Sequence, residues 1–326
     1  MFIRKGSTNI SKVTTQADID EFVSLLNIKS DVVVIKPNWV DGLDCSHTEV
    51  KMTEMFLSSL KDLGKKAVFV ESYTFWRTDK MCLQGKKEDY FSSEEATLES
   101  GKRHWDFFKR MDKWFLEKEG FANLFSKFGA EYINITKEIW SGNVINREKI
   151  KSNLEPKYSP LVFPELYSYI PTKLYEFKDS CFISFSKAKL DKYYGVSLSI
   201  KNLFGLIPDP SRAIKYHKDD DKYLIDAIVD VHKIYQSLFD MRFVVDGVFT
   251  ACLMDFDNNM TTPYKDWGVI IGGKDGLEVD IIGRKLMKGE FKNAMKELSM
   301  AYKTVFGGNA DVNITGVPSD WVLKGE

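Results

Sequence analysis

The sequence predicts a doubly wound α/β fold with a mostly parallel sheet, and three observations carry that expectation. Short apolar, β-branched runs recur along the chain, most are continuous rather than alternating, and helical patterns separate them. A continuous apolar run suits a strand buried on both faces. Strand and helix in regular alternation is the order that builds a parallel sheet. The runs fall at 32–35, 67–70, 132–135, 181–185, 242–245, 269–271 and 312–314, so a sheet of about six or seven strands is expected.

The helical patterns are equally specific. Over 48–63, Met52, Met55, Phe56 and Leu60 share one face, and Gly64 follows where a left-handed C-cap would stand. Over 222–237, Leu224, Ile228 and Val231 do the same. The span 195–205 reads as a helix with Val196, Ile200, Leu203 and Phe204 on its apolar side and with Ser197 and Lys201 one turn apart. Residues 73–128 are too long for an ordinary connection and rich in charge and aromatics, among them Trp76, Tyr90, Trp105 and Trp114. They read as a helical insertion, either a lid or a peripheral hairpin glued down by its rings. A second irregular span, 140–178, carries Pro156, Pro160, Pro164 and Pro171. No composition break marks a boundary, so a single domain over 1–326 is expected.

Composition narrows the partners. The chain has 326 residues, 46 basic and 47 acidic, for a net charge of -1. Such a balance supplies no broad basic field to gather phosphate backbones, which weighs against nucleic acid. No run of about 18 apolar residues is present, so no membrane span is expected. The start, Met1-Phe-Ile-Arg-Lys-Gly-Ser-Thr, has no secretory apolar core, which makes the cytoplasm the expected address. Cys45, Cys82, Cys181 and Cys252 are scattered with no Cys-x-x-Cys pair, so no iron–sulfur cluster is expected. His47, His104, His217 and His232 show no metal-binding spacing.

In open parallel sheets ligands bind beyond the carboxyl ends of the strands. Those ends carry Lys36-Pro-Asn38, Glu71-Ser72, then Ser186, Lys187, Lys189 and Asp191, then Asp246-Gly247, then Gly272-Gly-Lys-Asp-Gly276. Each alone reads as well as a cap or a turn; together they form a polar, lysine-rich edge that must be solvated or filled. Pro37 biases Lys36 towards extended geometry and ends its strand sharply. Asp275 is the expected N-cap of the next helix. Asp280 sits in the apolar part of that helix, where an ion pair with Arg284 is its plainest use. Arg212 and His217 lie five apart after Pro208 and Pro210 and can face one anion, as can any surface loop of that composition.

Val34-Ile-Lys-Pro-Asn38, Lys187-Ala-Lys189, Ser199-Ile-Lys-Asn-Leu-Phe-Gly205, Asp246-Gly247 and Asp275 with Asp280 resemble, in the same order, the uncharacterised prokaryotic family known as domain of unknown function 362. The resemblance runs along nearly the whole chain and implies an α/β fold with a shared polar site. The chain departs from that pattern in two places. Lys189-Leu-Asp191 stands where the family usually has Lys-x-His, and Cys252-Leu-Met-Asp-Phe-Asp-Asn-Asn replaces a Gly-Pro-containing loop. Many relatives also carry a ferredoxin-like cluster segment, whose cysteines are missing here.

The expected function is that of an enzyme acting on a small anionic metabolite. Lys36, Asn38, Lys187, Lys189, Asn202, Arg212 and His217 would bind a carboxylate or phosphate. Lys201, Asp246 and Asp280 would be catalytic, with the two aspartates serving as general base or as ligands for a hard divalent ion. Two other classes stay open: a redox-associated or ligand-binding module, and a non-catalytic interaction protein that uses the aromatic insertion as its contact surface.

Overall fold

A computed structural model describes residues 1–40, 45–74, 76–77, 102–208, 210, 212–217, 221–255 and 260–324. Its strands are β1 (Phe2–Lys5), β2 (Thr8–Lys12), β3 (Val32–Lys36), β4 (Lys66–Glu71), β5 (Glu131–Asn134), β6 (Cys181–Lys187), β7 (Lys189–Asp191), β8 (Gly195–Ser197), β9 (Asp240–Gly247), β10 (Thr250–Asp255), β11 (Met260–Lys265) and β12 (Val269–Gly273). Eight of them form one sheet in the order β1-β2-β12-β9-β6-β3-β4-β5, and β11-β10-β7-β8 form a small second sheet. The pairs β9–β6, β6–β3, β3–β4 and β4–β5 are parallel. The α/β fold expected from the apolar runs is the one present.

The continuous strands are buried on both faces. Val33 and Ile35 point into one apolar cluster and Val34 into the other, and β6 splits likewise between Ile183 and Phe182. Each such side chain, fully withdrawn from water, contributes about 1.5–3 kcal/mol. Helices α1 (Gln16–Leu25), α2 (Val50–Asp62), α3 (Trp105–Lys118) and α4 (Phe121–Phe128) line the first face, through Phe22, Phe56, Phe115 and Phe121. Helices α5 (Arg147–Leu154), α6 (Lys222–Leu238), α7 (Gly276–Leu286) and α8 (Ala294–Phe306) line the second, through Ile150, Ile228, Val279 and Leu298. On α2 the expected stripe holds, with Met52, Phe56 and Leu60 buried, and Gly64 takes φ +69° just beyond it. Helices α3 and α4 lie in the insertion over 73–128, of which residues 75 and 78–101, with Tyr90, lie outside the described residues.

Three local expectations are corrected. β12 runs antiparallel to β9, because the β10–β11 hairpin returns the chain to the edge where β9 ends. Gly273 therefore pairs with Phe243 near the start of β9, and Gly272-Gly-Lys-Asp-Gly276 leaves at the edge opposite to Asp246. The span 195–205 is not one helix. Asp191 Oδ1 accepts the amides of Tyr193 and Tyr194 and Gly195 takes φ +81°, turning the chain back so that β8 pairs antiparallel with β7. A short helix, Ser199–Asn202, and a 3₁₀ turn, Leu203–Leu206, follow. Finally, 312–314 forms no strand; the carbonyl of Val312 is taken by Lys285 Nζ at 2.5 Å instead of a ladder partner.

Candidate functional site

The parallel strands β3, β4 and β6 deliver Lys36, Glu71 and Lys187 to one edge of the sheet, and beyond it lies a cavity of about 430 Å³. Lys36, Asn38, Lys189, Lys201, Asn202, Arg212 and His217 line it, so seven of the ten candidates meet there although up to 181 positions separate them (217 − 36). Glu71 and Asp191, read from the sequence as strand-end polar residues but not as site residues, also line it, as do Phe204, read as an apolar helix residue, and Tyr194, which sequence reasoning left out.

Lys36 is buried, and its Nζ is 2.6 Å from Glu71 Oε2 and donates to the carbonyl of Pro37 at 2.7 Å. Burial draws its pKa down to about 8 against the pull of Glu71. Gly205 permits this approach, because a Cβ there would meet Lys36 Nζ at 2.8 Å and Glu71 Oε1 at 3.1 Å. Asn38 is held at both ends: its Oδ1 accepts from Lys189 Nζ at 2.6 Å and its Nδ2 donates to Asn202 Oδ1 at 3.0 Å. Asn202 in turn donates to the carbonyl of Lys36. Arg212 donates to the carbonyls of Tyr73 and Ile207. These contacts fix the floor and one wall.

Lys201 is placed differently. Its Nζ lies 3.6 Å from the centre of the Tyr194 ring, a cation–π contact. Among the described residues it has no hydrogen bond and no ion pair. Burial lowers its pKa to about 8, with Lys189 adding to the effect and Asp191 and Asp221 opposing it. The lining thus sets four cations, Lys36, Lys189, Lys201 and Arg212, against two carboxylates, Glu71 and Asp191.

Beside Lys201 stands a second constellation. His217 Nδ1 is 2.6 Å from Asp221 Oδ1 and 2.8 Å from the Tyr194 hydroxyl, which donates to Asp221 Oδ2 at 3.0 Å. The hydroxyl has one proton and both carboxylate oxygens accept, so Nδ1 carries the imidazole proton and Nε2 is left as the acceptor. Burial and the Lys201 charge lower the His217 pKa from its ordinary value and so favour the neutral ring, with Asp221 opposing them. A neutral imidazole oriented by a carboxylate is equipped to take a proton. The spacing His217-x-x-x-Asp221 was the signal that could have found Asp221.

Three candidates lie off the cavity wall. Lys187 and Asp246 are fully buried 3.2 Å apart, and Lys187 also reaches Glu49 at 2.7 Å. Asp280 accepts the Ser199 and Ile200 amides and the Ser199 hydroxyl. It anchors the start of the helix that carries Lys201, through these donors rather than through an ion pair with Arg284. Asp275 is the N-cap of α7, accepting from the amides of Leu277 and Glu278. Among the described residues no group of three His, Cys, Asp or Glu side chains is placed to hold a metal ion, and no helix is long and apolar enough to cross a membrane.

No curated protein and no solved structure matches the chain. Residues 33–285, which take in β3 through most of α7 and every lining residue of the cavity, match the family described as Domain of unknown function (DUF362), and the chain belongs to that family.

Proposed function

We propose that the cavity binds a small metabolite bearing a carboxylate or phosphate and moves a proton on it. The observation that carries this reading is Lys201: an ammonium on the cavity wall that, among the described residues, rests on an aromatic face with no hydrogen bond and no ion pair. An unbalanced charge in a partly dry site is costly unless a counter-charge arrives. An anionic ligand supplies one, and the Lys189 and Arg212 side chains add to the same field. Trp39, Trp76 and Phe204 offer apolar surface for the rest of the molecule. His217 Nε2 is the proton acceptor in this reading, with Asp221 and Tyr194 holding the ring. Asp246 and Asp280 are given no role in it, since Lys187 and the amides of Ser199 and Ile200 already occupy them.

The test is thermal unfolding of wild type and Lys201→Met against a panel of carboxylates and phosphates, with and without magnesium or manganese. At least one compound should raise the wild-type Tm. The variant should bind it about 10- to 150-fold more weakly, the equivalent of about 1.5–3 kcal/mol for a lost charge-assisted hydrogen bond. A panel without effect, or a shift that survives in Lys201→Met, would contradict the reading.

A further inference from the structure

Outside the cavity, the structure brings together two thiols that the proposed function does not use. Cys45, in the segment between β3 and α2, and Cys252, on β10, lie 207 positions apart in the chain, yet their sulfurs are 2.7 Å apart. Both are buried thiols not joined in a disulfide, and with Met254 they form a small apolar cluster of their own. A bonded pair sits at about 2.0 Å, so the two sulfurs need approach by less than about 1 Å to join.

We propose that Cys45 and Cys252 are an oxidation site that takes a hydroperoxide as its co-reactant and closes to a reversible disulfide. The surroundings distinguish the two sulfurs. Contacts from Cys252 and Thr261 and the charge of Lys187 lower the Cys45 pKa, against burial and Glu49. These contacts favour Cys45 as the sulfur that loses its proton and attacks. Its sulfur attacks one peroxide oxygen and the O–O bond breaks, leaving Cys45 as a sulfenic acid and releasing hydroxide. The Cys252 sulfur then attacks the Cys45 sulfur, the S–O bond breaks, and the oxygen leaves with the Cys252 proton and one more as water. Overall, two thiols and one hydrogen peroxide give one disulfide and two waters. Hydrogen peroxide is small enough to reach a buried pair that a bulky disulfide cannot.

The bond would have a defined mechanical effect. On the small sheet Cys252 pairs in register with Lys189, and Met254 pairs with Asp191; Lys189, Asp191 and Met254 all line the cavity. The other end is attached to the segment that follows Trp39, also a lining residue. Oxidation would tie two walls of the cavity together, whatever the cavity holds. Cys181 is an internal control: burial pushes its thiol up to about 12, and it begins β6, at the edge remote from the site.

The test is peptide mapping of folded, freshly reduced protein treated with equimolar hydrogen peroxide. The expected product has lost two hydrogens, carries a Cys45–Cys252 linkage and returns to the dithiol in dithiothreitol. Cys45→Ser and Cys252→Ser should each abolish the linkage, and Cys181→Ser should leave it unchanged. Wild-type mapping decides alone if a serine variant does not fold. A linkage to Cys82 or between chains, sulfinic acid at Cys45 without a partner, or folded thiols that stay inert while urea-unfolded protein reacts would each overturn the proposal.

Discussion

Lys36 and Lys201 line the same cavity and are both drawn down to about 8 by burial, but they differ in what answers the charge. Lys36 has Glu71 and a carbonyl within hydrogen-bond distance, whereas Lys201 has a ring face. Removing one partner of a buried pair strands the other, at a cost of about 3–5 kcal/mol. Lys36→Met should therefore lose about that much in urea unfolding, while Lys201→Met should be close to wild type or more stable. Equal losses in the two variants would show that Lys201 is structural. At His217 the test is titration followed by NMR. Its pKa should lie below 6.5, and Asp221→Asn should lower it further by removing the charge that favours the protonated ring. A rise in that variant would remove the oriented-base assignment. Among single residues the sequence disclosed Lys36, Asn38, Lys189 and Lys201 because strand ends and a helix-flanking Lys-Asn pair are visible in a linear text. It did not disclose Tyr194, whose position depends on a three-residue turn set by Asp191 and Gly195.

At the scale of elements, the buried parallel strands and long helices were legible, since a continuous apolar run and a 3.6-residue stripe each have one plain geometry. The short pieces were not. β7 and β8 span three residues each, too few for any period to show, and β12 has the apolar run of its parallel neighbours while running the other way. Direction is set by the hairpin before it, not by its own residues. The helix carrying Lys201 depends likewise on distant elements: Asp280 of α7 holds its first amides, and His232 of α6 contacts the carbonyl of Ile200 at 2.9 Å through Nε2. Burial lowers the His232 pKa to about 4, opposed by that hydrogen bond. Between about 4 and the unfolded value of about 6.5 the unfolded chain binds a proton that the folded chain does not. The His232 contribution is thus complete above about pH 6.5 and is lost as pH falls towards 4, at most about 3 kcal/mol. Asp280, pushed up to about 7 by burial against its donors, acts in the opposite direction. The informative quantity is therefore the difference between wild type and His232→Gln. From pH 7 to pH 5 the variant should gain on wild type in unfolding free energy, and a constant difference would refute the assignment.

Across the whole molecule, five parallel strands carry their carboxyl ends to one edge, and there the small sheet, the Ser199–Asn202 helix and the segment around Arg212 and His217 close over them. Residues as far apart as Lys36 and Met254 thereby line one space. That convergence was predictable from the rule for parallel sheets, but the balance of charge within it was not. Lys187 and Asp246 also stand at strand ends, yet they neutralise one another beneath the site. Which strand-end charge is spent inside the protein and which is left for a ligand depends on neighbours that only the folded chain supplies. On the proposed reading the charge left over, at Lys201, is for an anion. A crystal structure with the strongest stabilising compound from the thermal panel tests it most directly. An anionic oxygen of the ligand is predicted about 3 Å from Lys201 Nζ, inside the cavity beside His217; a ligand bound elsewhere, with Lys201 still facing only the Tyr194 ring, would contradict it.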